Sequence, residues 1–211
     1  MGQVTELSHP LVQHHLAGLR NVETTSAEFR NLIHRLTLLL ACEATRDLQL
    51  QEAMVQTPLT SMTAARLSQR IGLVPILRAG IGMVDPCLQL MPSAEVWHLG
   101  LFRDEETAQP VHYYSKIPAE DPVEVAFVVD PMLATGGSAA AALETLVGWG
   151  VPDIRLLSII AAPEGVEQLQ SQFSDVPIYV CVVDECLNER KFIMPGLGDA
   201  GDRIFNTQRS G

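Results

Sequence analysis

The sequence predicts an α/β fold: a mainly parallel twisted sheet flanked by helices, with a helical segment before it and an irregular segment after it. Three observations predict this. The first quarter of the chain carries a helical apolar period. After Ile71, short apolar, β-rich runs alternate with helical stretches. Beyond about residue 185 neither pattern continues, and Gly and Asp become dense. Strands alternating with helices at this spacing imply βαβ units and a parallel sheet. A chain of 211 residues suits one domain. It divides into a helical part over about 1–70, an α/β core over about 71–184 and a C-terminal segment over about 185–207.

In the first part, Thr25 and Glu28 stand three apart, as in a capping box. Apolar residues then recur at Phe29, Leu32, Ile33, Leu36, Leu39 and Leu40. The stripe is core or a subunit interface, and it raises the expectation of a homo-oligomer, dimer or tetramer. Strands are expected over residues 73–77, 96–102, 123–129, 154–161 and 178–183. Helices are expected over 83–90, 138–149 and 165–173. In open parallel sheets, ligands bind in the crevice beyond the carboxyl ends of the strands. The loops after those strands are therefore where chemistry belongs.

Composition excludes several classes. Apolar residues make up 47% of the chain and charged ones 18%, the balance of a folded protein rather than a disordered one. A net charge of −11 and no run of Lys or Arg argue against a nucleic-acid partner. A local cluster of positive charge and backbone N–H groups can still take an anionic small molecule. The apolar stretch from Leu36 to Ala41 is far too short to span a bilayer, so no membrane role is expected. Residues 1–10 show no basic segment followed by an apolar run, so no signal peptide is expected there. Cys42, Cys87, Cys181 and Cys186 lack metal-binding spacing and read as reduced residues of a cytoplasmic protein. His14, His15, His34, His98 and His112 show no convergent pattern and read as structural.

The strongest signal runs from Val125 to Ser138: an apolar strand, then Asp130, Pro131, Met132, Leu133, Ala134, Thr135, Gly136, Gly137 and Ser138, opening an alanine-rich helix. Gly136 and Gly137 can adopt backbone angles closed to other residues and let a ligand approach closely. Successive N–H groups backed by a helix N-terminus make a phosphate cradle, to which the Thr135 and Ser138 hydroxyls add donors. Asp130 can accept from ribose hydroxyls, directly or through a bound Mg²⁺. The plainer alternative is a glycine turn with Ser138 as a helix cap. The lysine of a nucleotide-triphosphatase loop is missing, as is the glycine pattern of a dinucleotide site.

One earlier loop repeats the design. Residues 74–82 form an apolar run that ends at Arg78, followed by Gly80 and Gly82. Arg78 offers a planar, permanently charged fork suited to a pyrophosphate, or else a surface partner for a carboxylate. Arg103 begins a polar stretch reaching Asp121 and containing Tyr113, Tyr114 and Lys116. It reads either as a lid or as a solvated hairpin. The last region, from Phe192 to Arg203, packs glycines, a proline and aspartates into a path with few ordinary conformations. Such a path can set backbone N–H and C=O groups against the edge of a flat base; a plain turn is the alternative.

The form Asp130-Pro-Met-Leu-Ala-Thr-Gly-Gly-Ser138 resembles the donor loop of type I phosphoribosyltransferases, and in particular the uracil phosphoribosyltransferases. Pro195-Gly-Leu-Gly-Asp-Ala-Gly-Asp-Arg203, His9-Pro-Leu-Val, Glu43-Ala-Thr-Arg-Asp47, Thr57-Pro-Leu59 and Ala161-Ala-Pro-Glu-Gly165 carry the resemblance over nearly the whole chain. It implies a transfer of ribose 5-phosphate from phosphoribosyl pyrophosphate to uracil, giving UMP and pyrophosphate, with Mg²⁺ on the donor. Arg78, Arg103 and residues 130–138 would then bind the donor, with Asp199 at the sugar. Ile193, Gly198, Asp199 and Ala200 would form the uracil side, chiefly through backbone. Where many branches have paired acids, Pro131 follows Asp130 here, leaving the acid to act alone. Phe192 stands where the family has Tyr. Some relatives are activated by GTP, and the resemblance extends that expectation to an effector here. Rival readings are a purine acceptor, an RNA-binding regulator on the same fold, and an inactive phosphate-binding scaffold.

Overall fold

Residues 3–103, 110–115 and 120–207 are described by a computed structural model of the chain. It begins with β1 (Val4–Glu6), followed by α1 (Pro10–Arg20) and α2 (Ser26–Ala44). Local chemistry sets both helix starts. Pro10 pre-sets the first turn of α1, and His9 accepts from the Leu11 N–H. Thr25 and Glu28 close the reciprocal capping box that their spacing predicts. Phe29, Ile33, Leu36 and Leu40 are fully buried within the chain. The stripe on α2 is thus core at these four positions, with Leu32 and Leu39 partly buried against the same cluster.

The helical part does not continue to residue 70. Residues 50–67 instead form an antiparallel hairpin of β2 (Leu50–Gln56) and β3 (Ser61–Leu67), turning at residues 57–60. The Thr57 N–H donates to the Thr60 carbonyl at 2.9 Å, and the Thr57 hydroxyl bonds the same carbonyl at 2.8 Å. Cross-strand pairing overrides a run of residues that individually favour helix.

The main sheet then assembles from β4 (Ile71–Pro75), β5 (Glu95–Val96), β8 (Val125–Val129), β10 (Asp153–Ala161) and β11 (Ile178–Val183). Between β5 and β8, β6 (Leu99–Arg103) pairs antiparallel with β7 (Pro110–Ser115) in a separate ribbon. The expected strand over 96–102 is therefore split: Val96 pairs with β4, the Trp97 N–H still donates to the Leu73 carbonyl, and residues 99–102 leave for β7. The sheet order is β1-β11-β10-β8-β4-β5, and every pairing along it is parallel. Strands β4 and β8 are buried at every residue, as expected where both faces are covered.

Alternate residues feed two cores. Leu73, Val125, Phe127 and Val129 pack with α1 and α2, together with α3 (Val84–Leu90). Val74, Ala126 and Val128 pack with α4 (Gly137–Trp149) and α5 (Pro163–Gln172). This is the period-two geometry of a strand, written twice over in apolar residues. The chain closes with β12 (Cys186–Leu187), β13 (Ile193–Met194) and α6 (Ala200–Phe205). A short β9 (Met132–Leu133) pairs with β10 just past β8. Buried Arg155 ties the far end of α2 to β10, binding Asp47, Asp153 and the Ala44 carbonyl. No helix among the described residues is long and apolar enough to cross a membrane.

Candidate active site

At the carboxyl end of β8 the chain turns through Asp130 and β9 into α4. Gly136 caps that helix with φ of 83°, a left-handed conformation that favours glycine. The helix therefore begins at Gly137, and Ser138 is its second residue rather than its cap. Residues 130, 132–139 and Ser158 line a cavity of about 140 Å³. The opening N–H groups of a helix have no intrahelical partners, so α4 directs unsatisfied donors and a positive dipole end there. Ser158, on neighbouring β10, donates its hydroxyl to the Asp130 carbonyl at 2.7 Å and steadies the strand end.

The loop is held from behind by α5. The Ala162 N–H donates to the Leu133 carbonyl at 2.8 Å. Gly165 lies so close that a Cβ there would stand 2.3 Å from the Ala134 carbonyl oxygen. The Ala161–Gly165 motif thus has a physical reason: it supports the phosphate-type loop and admits no side chain at its last position.

Beside β8, β4 ends in the Arg78 loop, and a 3-10 turn (Ala79–Met83) follows. The peptide between Leu77 and Arg78 is cis. A Cβ on Gly80 would sit 2.4 Å from the Val129 carbonyl oxygen, so the turn can pack against the end of β8 only as glycine. Arg78 is exposed and reaches Asp202 on α6, with Nη2 donating to Oδ1 at 3.1 Å. Asp202 also accepts from the Thr207 hydroxyl, and these partners hold its carboxyl below the usual range. Asp199 caps α6 by accepting from the Asp202 N–H at 2.8 Å.

Asp130 and Asp199 come together from positions far apart in sequence. Burial pushes the Asp130 carboxyl up to about 7, the Met132 N–H opposes the shift, and the negative charge of Asp199 reinforces it. The C-terminal segment lies alongside. Ile193 and Ala200 are buried in the core, so their backbones are what the cleft can meet, while Gly198 and Asp199 are exposed. Gly196 and Gly198 have φ of 65° and 80°. Phe192 is exposed, and its missing hydroxyl leaves no buried polar group behind.

Of the residues that the sequence reading selected, Asp130 and residues 132–138 line one cavity, Asp199 acts on Asp130 electrostatically, and Arg78 meets the same short helix α6 through Asp202. That reading missed Asp202, although the Gly-Asp-Ala-Gly-Asp spacing places a second acid one helical turn beyond Asp199. It also missed Ser158 and the part-buried pair Arg20–Asp184 that bonds Gly196 of the C-terminal segment. The Arg103 side chain, residues 104–109, the side chains of Tyr113 and Tyr114, and Lys116 lie outside the described residues. Among the described residues, no cluster of three or more His, Cys, Asp or Glu could hold a metal ion.

A sequence profile of the uracil phosphoribosyltransferase family matches residues 6–207. A uracil phosphoribosyltransferase of Roseiflexus sp. (strain RS-1) is 55% identical over 207 residues, covering 98% of this chain and all of that protein. One from Bacillus velezensis is 51% identical over 209 residues, 99% of this chain and all of the relative. Among solved structures, the AQ2163 protein of Aquifex aeolicus superposes with a TM-score of 0.93 at 37% identity, covering 99% of this chain and 100% of that one. A hypoxanthine-guanine phosphoribosyltransferase of Bacillus anthracis shares the fold at a TM-score of 0.51 and 10% identity, over 75% of this chain and 80% of that one.

Proposed function

Because the chain belongs to the uracil phosphoribosyltransferase family, we propose a division of labour in the cleft beyond β4 and β8, between donor, metal and base. The enzyme transfers ribose 5-phosphate from phosphoribosyl pyrophosphate to uracil, giving UMP and pyrophosphate in pyrimidine salvage. The 5′-phosphate rests in the cradle of residues 135–138 at the start of α4. Residues 131–134 shape the approach with backbone and apolar side chains. Arg78 meets the pyrophosphate, and Arg103 joins it by its place in the motif. Asp130 accepts from the ribose hydroxyls, with Asp199 at the same sugar. Uracil lies against the backbone of Ile193, Gly198 and Ala200.

One observation carries this reading. Asp130, from the end of β8, and Asp199, from the start of α6, are close enough for one charge to raise the other's pKa. This nearness of the base segment to the sugar acid supports the reading, since base and ribose must meet for the reaction.

Mg²⁺ fits this donor set as a metal carried in by the substrate. A magnesium ion keeps several waters and takes one or two carboxylates plus substrate phosphates, rather than a cage built wholly from protein. Asp130 and Asp199 supply two carboxylates whose mutual repulsion a cation would relieve. When bound, Mg²⁺ would neutralise part of the pyrophosphate charge. The residues do the rest by position: Arg78 stabilises the leaving group, and the cradle fixes C1′ opposite the base. Positive charge develops on the ribose in a loose transition state, so no strong protein nucleophile is needed.

The remaining expectations fall into place differently. Self-association belongs to the β2–β3 hairpin rather than to α2, since Leu50, Met54, Leu59 and Met62 are exposed there. A cytoplasmic setting is supported by four free cysteines, with burial pushing the Cys87 thiol up to about 12 and so keeping it inert. GTP as an effector rests on family likeness alone.

The assay that tests the reading supplies phosphoribosyl pyrophosphate, Mg²⁺ and each of uracil, cytosine, adenine, hypoxanthine and guanine, with an EDTA control. UMP alone, abolished by EDTA, is expected. Product from a purine would overturn the base-site assignment. An Arg78→Ala variant with an unchanged catalytic rate would overturn the pyrophosphate assignment.

A further inference from the structure

The uracil-side segment has few ordinary backbone conformations and little sheet pairing of its own, so something else must fix its shape. The answer lies beneath it. Gly196 sits in the left-handed region, and a Cβ there would stand 2.1 Å from the Ile193 carbonyl oxygen. Its N–H donates to Asp184 Oδ2 at 3.1 Å, and its carbonyl accepts from Arg20 Nη1 at 2.7 Å. Arg20 and Asp184 are themselves a two-pronged pair, with Nη1 to Oδ2 at 2.9 Å and Nη2 to Oδ1 at 2.5 Å. One ion pair thus holds both polar groups of a single glycine. Arg20 ends α1, and Asp184 directly follows β11, its own N–H donating to the Ala161 carbonyl at 2.8 Å.

The next residues are held from the same place. Buried Arg203 lies over the Phe29 ring at 4.3 Å. Its Nη1 donates to the carbonyls of Leu19 and Leu197 at 2.7 and 2.8 Å, and its Nη2 to that of Asn21 at 2.6 Å. Residues 19–21, at the end of α1, therefore serve as an anvil for residues 196 and 197. The Asp184 side chain is 3% exposed and that of Arg20 24%, so the pair is largely withdrawn from water. A buried charge pair is a poor means of adding stability, since removing two charges from water offsets most of their attraction. Its better-attested use is to specify one arrangement, and here the arrangement specified is a backbone path.

We propose that Arg20 and Asp184 are positioning residues for the acceptor base: they touch no substrate, and they set uracil affinity by fixing Gly196 and hence the path to Gly198 and Ala200. The proposal rests on the assignment of uracil to residues 193–200. It predicts a selective effect, because the side chains of the clamp bond Gly196, whereas the donor cradle at residues 135–138 opens α4 and is backed by Gly165 of α5.

The test compares four variants by steady-state kinetics against each substrate and by thermal melting. Asp184→Ala removes the carboxylate partner of the half-buried Arg20 guanidinium and frees the Gly196 N–H. Its KM for uracil should rise by about tenfold or more, with KM for phosphoribosyl pyrophosphate and kcat at saturating uracil within about twofold. If Asp184→Ala does not fold, Arg20→Lys carries the test, since an ammonium keeps the charge but cannot bridge Asp184 and Gly196 as the planar fork does. Asp47→Asn weakens the pairing of buried Arg155, remote from the base segment, and should lower the melting temperature with both KM values unmoved. Gly198→Ala probes the underlying assignment and should also raise KM for uracil. If Gly198→Ala does so while a folded clamp variant leaves it unchanged, or raises both KM values together, the clamp is overturned and the base site stands. If neither variant moves KM for uracil, the base-site assignment falls and the clamp with it.

Discussion

Asp130 shows how a single side chain carries both mechanism and cost. An aspartate in water titrates near 3.9, whereas burial and the neighbouring charge of Asp199 push Asp130 up to about 7. At neutral pH much of the ligand-free protein therefore holds it as the neutral acid, which would accept from the proposed ribose hydroxyls more weakly than the carboxylate does. kcat/KM for phosphoribosyl pyrophosphate reports the free enzyme, so it should climb with pH along a limb near 7. Asp130→Asn should remove that limb and lower kcat/KM by about a hundredfold. Asp199→Asn should move the limb to lower pH, by removing a like charge. The stability consequence has the opposite sign. The folded value lies above the unfolded one, so the folded state holds more protons between them, and Asp130's contribution is present below about pH 4 and lost as pH rises through about 7. Asp130→Asn should accordingly melt with the wild type at pH 4 and above it at pH 8. Identical melting differences at both pH values would show that the carboxyl is not shifted.

Among the elements, the β8–loop–α4 unit was legible because every local choice agrees: an apolar strand, an acid at its end, a glycine where φ is positive, then alanines. The β2–β3 hairpin was not, because Leu50, Gln51, Glu52, Met54, Ala64, Ala65 and Arg66 favour helix locally and their pairing is seen only across the turn. The one available signal was Pro58, which ends a helical reading. The Arg20–Asp184 pair was invisible for another reason: 164 residues separate its members, and a buried ion pair leaves no periodic trace. The role of α5 was half legible, since its Gly165 was noticed as a likeness but not as a contact. That contact gives an element-scale prediction. In Gly165→Ala, the new Cβ would press on the Ala134 carbonyl from 2.3 Å, and because that oxygen is backbone, the loop must move. KM for phosphoribosyl pyrophosphate should rise by about tenfold or more with KM for uracil nearly unchanged, since a small misplacement of a binding group is felt strongly. Equal changes in both constants, or none, would show that α5 does not set the donor loop.

For the molecule as a whole, the unresolved tension is a hairpin whose two strands pack chiefly on each other. An isolated two-stranded ribbon is marginal in water, and this one exposes Leu50 and Met54 on one face and Met62 on the other, with Leu59 at its tip. Charge points to what covers it. The chain carries −11 overall, yet residues 50–67 contain only Glu52 and Arg66 as charged residues and are neutral in sum. The hairpin is thus a place where two acidic copies can meet without repulsion, which a basic partner would not need. Burying side chains of this size is worth about 1.5–3 kcal/mol each. Replacing both Leu50 and Met54 with Lys would remove two such contacts and add like charges across the joint. Sedimentation should therefore show the wild type as an oligomer and the double variant shifted to monomer at the same concentration, with its far-ultraviolet spectrum retained. A wild-type monomer would remove the case for self-association, and a variant that stays assembled would move the contact elsewhere on the surface.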